Sequence, residues 1–202
     1  MSSTKSALHG QVSLAQSVFS VANCLRHVCF SKETFLLLLF RNKLTSYQWG
    51  AEENGLLGSK YYTQNLNATQ ANNILAYLNF DMVSRGTFNV FDGDGSSYNV
   101  SGAPGSDKIE KLFVDHLTGN GINVTAAVFT GGSDYKSFME IGKPVGGMNT
   151  GTAPSQDPCY HQACDTIDNP NPNTITVISK VCIHTTKIRW EVLIGTRLLP
   201  MS

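Results

Sequence analysis

Between residues 42 and 150 the chain alternates short β-type runs with helix-type stretches, and this alternation restricts its fold more than any other feature. Residues 43–49 read as a strand, followed by a helix from about residue 55 to residue 65. Residues 74–80 form an apolar run suited to a buried strand. Residues 87–91 form another, closed by the turn Asp92-Gly93-Asp94-Gly95. Ile109, Leu112, Phe113 and Leu117 share one face of a helix over residues 106–117, with Ser106 or Asp107 as its cap. Residues 124–129 are strand-like, 134–141 a short helix stopped by Gly142, and 144–148 a further strand. The pattern predicts an α/β domain of three layers around a central, mostly parallel or mixed sheet. Ligands of such sheets bind beyond the carboxyl ends of strands, and Glu52-Glu53 and Asp81 each follow a predicted strand directly.

A content of 41% hydrophobic and only 15% charged residues excludes a disordered chain, and 202 residues suffice for one domain with a sizeable core. The formal net charge of zero argues against a nucleic-acid partner. That zero conceals a split. Residues 42–174 hold thirteen Asp/Glu against seven Lys/Arg, whereas the two flanks together hold two against eight. Cys159 and Cys164 belong to the acidic middle, and Cys24, Cys29 and Cys182 to the flanks. Leu14, Val18, Val21, Leu25 and Val28 stand at helical spacing within residues 12–40, while residues 176–202 show no clear period. The expectation is a domain over residues 42–175, with residues 1–41 and 176–202 as divergent flanks that pack poorly against it. No signal peptide is visible, and the apolar run at 35–40 is too short to span a membrane. Three sequons, at Asn67, Asn99 and Asn123, hint at a secreted glycoprotein.

Glu52, Glu53, Asp81 and His161 are the residue types that a hydrolytic zinc site needs. Adjacent glutamates at a strand end point in different directions, so one can hold a metal while the other moves a proton. The same pair also suits a solvated acidic start to a helix. Asp81 ends a buried run, where an ionised carboxylate is costly unless it is paired, metal-bound or turned back onto backbone N–H groups. Cys159, His161 and Cys164 could together bind a metal, but no second Cys/His pair lies at a useful spacing. A local disulfide between Cys159 and Cys164, stiffening the loop that presents His161, is the better reading for a secreted chain. Asp92-Gly93-Asp94-Gly95-Ser96-Ser97 begins like a calcium loop, but Ser97 stands where the sharp-turn glycine belongs, and this reading is set aside. Gly131-Gly132-Ser133-Asp134 lacks the lysine of a phosphate loop and reads as a capped turn.

Four stretches carry a more specific signal. They are Gly50-Ala51-Glu52-Glu53-Asn54-Gly55-Leu56-Leu57-Gly58-Ser59, Asn79-Phe80-Asp81-Met82, Gly132-Ser133-Asp134-Tyr135, and Cys159-Tyr160-His161-Gln162-Ala163-Cys164-Asp165-Thr166. In order and spacing they resemble the secreted and vacuolar dizinc aminopeptidases, of the aminopeptidase Y and bacterial leucine aminopeptidase type, from about residue 42 to about residue 174. The resemblance implies a zinc-exopeptidase fold, two zinc ions, peptide substrates losing their N-terminal residues, a monomer, and an extracellular or vacuolar setting. It also implies roles. Glu52 is the general base and Tyr160 the hydroxyl that stabilises the oxyanion. Glu53 and His161 share one zinc, and Asp81 is a ligand of the second.

The pattern departs from the family upstream. A His-x-Asp motif and a bridging Asp are expected before the Glu-Glu pair, yet the chain holds no Asp before Asp81. The reading is therefore of a truncated or mis-spliced domain, incomplete at its N-terminal side and weakly active or inactive. A non-catalytic relative of the fold, or glutaminyl-cyclase chemistry on the same scaffold, is the alternative.

Overall fold

The computed structural model describes residues 45–151 and 153–195, the side chains beyond His184 excepted. The expectation for residues 12–40 lies outside them. The elements in chain order are α1 (Leu57–Gln64), α2 (Ala68–Asn73), β1 (Tyr77–Phe80), β2 (Phe88–Phe91), α3 (Ser106–Gly119), β3 (Val124–Ala127), α4 (Tyr135–Glu140), β4 (Val145–Thr150) and α5 (Pro172–Gly195). The four strands form one mixed sheet in the order β1-β4-β2-β3. β4 runs parallel to β1, with Tyr77 opposite Val145 and Phe80 opposite Met148. It runs antiparallel to β2, with Val90 opposite Met148 and Phe88 opposite Thr150. β2 and β3 are parallel.

Neighbouring residues of each strand face opposite sides of the sheet, and each side has its own core. On one face Phe80, Val90 and Met148 meet Ile109, Phe113 and Leu117 of α3 and Ile178, Val181 and Cys182 of α5. On the other, Phe91 and Val145 meet Tyr135 and Phe138 of α4, Phe129, and the partly buried Trp49, Tyr62, Ile74 and Tyr77. The result is the expected three layers. Glycine sets how close they come: a Cβ on Gly146 would lie 2.3 Å from Ile109 Cγ2, so α3 rests directly on the backbone of β4.

Three expectations need correction. Residues 45–49 form no strand, residues 43 and 44 lying outside the described residues. Tyr47 and Trp49 instead stack, with ring centroids 4.8 Å apart, and pack on Tyr62 and Phe138. Trp49 Nε1 donates to the Tyr77 hydroxyl at 3.0 Å. Alternating aromatic residues give the same sequence pattern whether or not the backbone is laddered, and here ring packing holds the segment. Second, α3 begins after Gly105, in the left-handed conformation, with no side-chain cap. Ser106 is the first helical residue, and its buried Oγ accepts from Val145 N at 2.9 Å, tying the helix to β4. Third, residues beyond 175 do not pack poorly throughout: α5 crosses that boundary, and Ile178, Val181 and Cys182 are core residues at 3%, 1% and 4% exposure. Their spacing of three and one is helical, but a short apolar stripe inside a mixed run left no clear period to read.

Candidate metal-dependent hydrolytic site

Glu52 and Glu53 sit on a loop whose two ends are closed onto each other. Gly58 N donates to Gly50 O at 3.1 Å, and a Cβ on Gly58 would lie 2.6 Å from that oxygen, so only glycine permits the approach. Between them Gly55 N and Leu56 N both donate to Glu52 O, at 3.0 and 2.8 Å, and Leu57 N to Ala51 O at 3.2 Å. Ala51 and Leu56 adopt left-handed backbone, with φ of 55° and 63°. The buried Ser59 of α1 then bonds Ser137 of α4 at 2.9 Å and docks the loop on the sheet's second layer.

Asp81 follows β1. Its Oδ2 accepts from Ser133 Oγ at 2.6 Å, and the same Oγ accepts from Asn79 Nδ2 at 3.0 Å. Ser133 and Asn79 are both buried, which fixes the carboxylate from behind. Met82, next in the chain, has φ of 52°. Its carbonyl accepts from both Thr150 N (2.6 Å) and Thr150 Oγ1 (2.7 Å), so the end of β4 anchors this turn.

Tyr160 and His161 lie on the loop closed by the Cys159–Cys164 disulfide, whose Cα atoms are 5.3 Å apart. His161 itself has φ of 55° and stacks on Tyr160, ring centroids 3.9 Å apart. A polar chain ties this loop to the Asp81 turn. Arg85 Nη1 donates to both O and Oδ1 of Asn169 at 2.7 Å, and Asn169 Nδ2 donates to Asp157 Oδ1 and Asp165 Oδ1 at 3.1 and 3.0 Å.

The three loops meet. Glu53 Oε1 lies 3.0 Å from His161 Nε2, across 108 residues of sequence. Burial first, then the charges of Asp81, Glu53 and Asp134, push Glu52 up to about 7, with His161 opposing. Burial raises Asp81 above the usual carboxylate range despite hydrogen bonds from Ser133 and the Met82 backbone, and Glu53 adds to the rise. Tyr160 is raised by burial and by Glu53, Asp81 and Glu52. Burial and Asp81 raise Asp134, with hydrogen bonding to Ser59 opposing, and its Oδ1 is buried without a hydrogen-bond partner among the described residues. Among the described residues, Glu52, Glu53, Asp81, Tyr160 and His161 therefore share one electrostatic neighbourhood, and it is net acidic.

Two ligands bonded to one tetrahedral zinc at about 2 Å stand about 3.3 Å apart, and Glu53 and His161 are close to that spacing already. A carboxylate and an imidazole are ordinary zinc donors, so this pair fits a zinc ion. Asp81 does not join them in any group of three donors within 4.8 Å of one another among the described residues.

Asn79 stands in its motif with no role legible in the sequence, and Ser133 and Asp134 with none beyond a capped turn. Their hydrogen bonds and burial supply one. Arg85 and Asn169 were missed, because contacts across 84 residues leave no local signal.

Comparison with known proteins places the chain. It matches peptidase family M28 over residues 19–186, a span reaching beyond the 42–174 resemblance at both ends. It is 39% identical over 158 residues to a probable leucine aminopeptidase 2 of Aspergillus oryzae, covering 69% of this chain and 32% of that protein. It is 36% identical over 156 residues to an aminopeptidase of Pseudomonas aeruginosa, covering 68% and 29%. The chain thus spans about a third of the length of these curated relatives. Among solved structures it resembles BSAP, a zinc aminopeptidase from Bacillus subtilis, with a TM-score of 0.57 and 21% identity over 70% of this chain and 34% of that one. It also resembles Legionella pneumophila LapA, with a TM-score of 0.53 and 26% identity over 69% and 38%. With a family match over most of its length and the mixed α/β fold of zinc aminopeptidases, the chain belongs to peptidase family M28.

Proposed function

We propose that residues 42–175, extended by the core-forming start of α5, are a zinc-dependent aminopeptidase domain that removes N-terminal residues from peptides. The observation that carries this reading is the meeting of Glu53 and His161 at 3.0 Å beside a Glu52 carboxyl pushed up to about 7. Glu53 and His161 would hold one zinc, and Asp81 would contribute to a second. Zinc bound there supplies a Lewis acid that polarises the scissile carbonyl and acidifies water. Glu52 accepts a proton from the attacking water at its carboxylate and returns it to the leaving amine. Tyr160, stacked on His161, offers its hydroxyl to the developing oxyanion.

The upstream His-x-Asp and bridging Asp implied by the resemblance do not occur in the 202 residues, which among the described residues leaves Asp81 alone of the implied ligands for the second zinc. Weak zinc binding and slow turnover follow for this polypeptide. An extracellular or vacuolar setting and a monomeric state complete the proposal. The disulfide supports an oxidising compartment. Asn67, Asn99 and Asn123 are all exposed, as glycosylation requires. No helix among the described residues is long and apolar enough to cross a membrane.

The test is zinc titration calorimetry of the whole chain with release of nitroaniline from leucine-nitroanilide measured alongside. Glu53→Ala and His161→Ala are each expected to weaken the tighter zinc about tenfold or more. Glu52→Gln is expected to keep zinc while slowing whatever turnover is present by about 100-fold or more. Zinc affinity unchanged in both ligand variants sinks the assignment.

A further inference from the structure

We propose that the chain carries a second cation site, separate from the hydrolytic one, in which Asp92, Asp94 and Glu110 bind calcium. Each offers one carboxylate oxygen, and these oxygens all lie within 4.8 Å of one another. Asp92 is fully buried. Its Oδ2 accepts from Ser97 N and Tyr98 N, at 3.0 and 2.9 Å, but its Oδ1 is buried with no hydrogen-bond partner among the described residues. Leaving a carboxylate oxygen buried and unpaired is costly, and a cation removes that cost. None of the three acids makes an ion pair among the described residues.

The site is built by the contact of the β2–α3 loop with the first turns of α3. A Cβ on Gly93 would fall 2.2 Å from Ser106 O, so the loop backbone lies against the helix start. Glu110, one turn further on, reaches back, its Oε2 accepting from Asp94 N at 3.1 Å. The third carboxylate comes from the helix and not from the loop, so a shell built this way does not depend on the loop design in which a glycine stands at Ser97. The site is distinct from the first by topology. β2 runs antiparallel to β4, and β1 parallel to it, so the end of β2 at Asp92 lies toward the start of β1, away from Asp81.

Oxygen donors alone select a hard cation over zinc. Two acids from a loop and one from a helix suit the irregular shell of calcium, with ligands at about 2.3–2.6 Å, better than the strict octahedron of magnesium. Three carboxylates with an exposed side resemble the weaker class of calcium modules, with a dissociation constant of about 10⁻⁴–10⁻³ M.

The experiment is a thermal melt and calorimetric titration of the whole chain with calcium, zinc present throughout. Calcium is expected to raise the midpoint, saturating in the millimolar range, and Asp94→Asn and Glu110→Gln are each expected to weaken this by about tenfold or more. Glu53→Ala and His161→Ala should leave it unchanged. Terbium luminescence sensitised by Tyr98, displaced by calcium but not by magnesium, reads the same site in the unaltered chain and needs no variant to fold. No heat, shift or displacement up to about 10 mM calcium, ten times the weakest modules of this class, overturns the proposal. So does a response that survives both acid variants, or one that disappears with Glu53→Ala and His161→Ala.

Discussion

The two halves of the proposed hydrolytic site are held in different ways. Asp81 stands at the end of a sheet strand, backed by buried Ser133 and Asn79 and anchored through Met82 to the end of β4. Glu53 and His161 face each other from two loops, their side chains 56% and 47% exposed, and owe their aim to left-handed turns, a glycine contact and a disulfide. The first half belongs to the fold and the second is mounted upon it. Damage to the first should register as lost stability, and damage to the second as lost binding with the fold intact.

The harshest way to break that contrast is at Gly147, which has φ of 133° and where a Cβ would lie 2.0 Å from Asn79 O. Gly147→Ala is expected to cost about 3 kcal/mol or more, because backbone cannot yield as a side chain can. Denaturant unfolding measures it, and a loss below 1 kcal/mol would mean that β1 and β4 are less firmly joined than described. Ser133→Ala follows, at about 1–3 kcal/mol, since it strips a donor from a partly buried carboxylate and an acceptor from Asn79. Replacing Cys159 and Cys164 together by Ser opens a very small loop, for which about 2 kcal/mol is expected, along with weaker zinc binding. His161→Asn should change stability by no more than about 0.5 kcal/mol, because its contact with Glu53 is exposed and Asn tolerates the left-handed backbone. Should His161→Asn cost as much as Ser133→Ala, the division into fold and mounting fails.

A smaller effect lies away from both halves. His116 of α3 stacks on His184 of α5 with ring centroids 3.7 Å apart, and burial, then His184, lowers its pKa. A histidine whose folded pKa lies below its unfolded value contributes nothing adverse while neutral in both states. Stability is therefore complete above about pH 6.5 and is lost as pH falls through that value toward the lower folded one. His116→Gln is expected to flatten this slope, measured as the denaturation midpoint at about pH 7.5 and pH 5. An unchanged slope would place the acid sensitivity elsewhere.

The sheet was legible in the chain where short apolar runs coincide with turn residues on both sides, as at Phe88–Phe91 before Asp92-Gly93. It misled at residues 45–49, where Tyr47 and Trp49 alternate for the sake of each other's rings. Glu52, Glu53, Asp81 and His161 could be picked out because hydrolytic metal chemistry draws on few residue types, and the resemblance supplied their grouping. Their supports were less visible. Ser133 and Thr150 are ordinary residues whose importance comes from a hydroxyl standing beside one particular carboxylate or carbonyl. The Asp92 loop was judged against a single known loop design, and the decisive Glu110 lies in the next helix, where a loop template does not look.

β4 lies between β1 and β2, yet it is the last of the four strands to be synthesised. Its partners precede it by about 60 to 70 residues, so both pairings close long loops, a combination that slows folding. Until β4 emerges, β1 and β2 have no strand to separate and join them, and their open edges can recruit other chains. Thr150, the final residue of β4, is also the one that fastens the turn behind Asp81. The turn behind Asp81 is accordingly fastened only once the last strand of this sheet is in place, and partially made copies carry exposed strand edges in its stead.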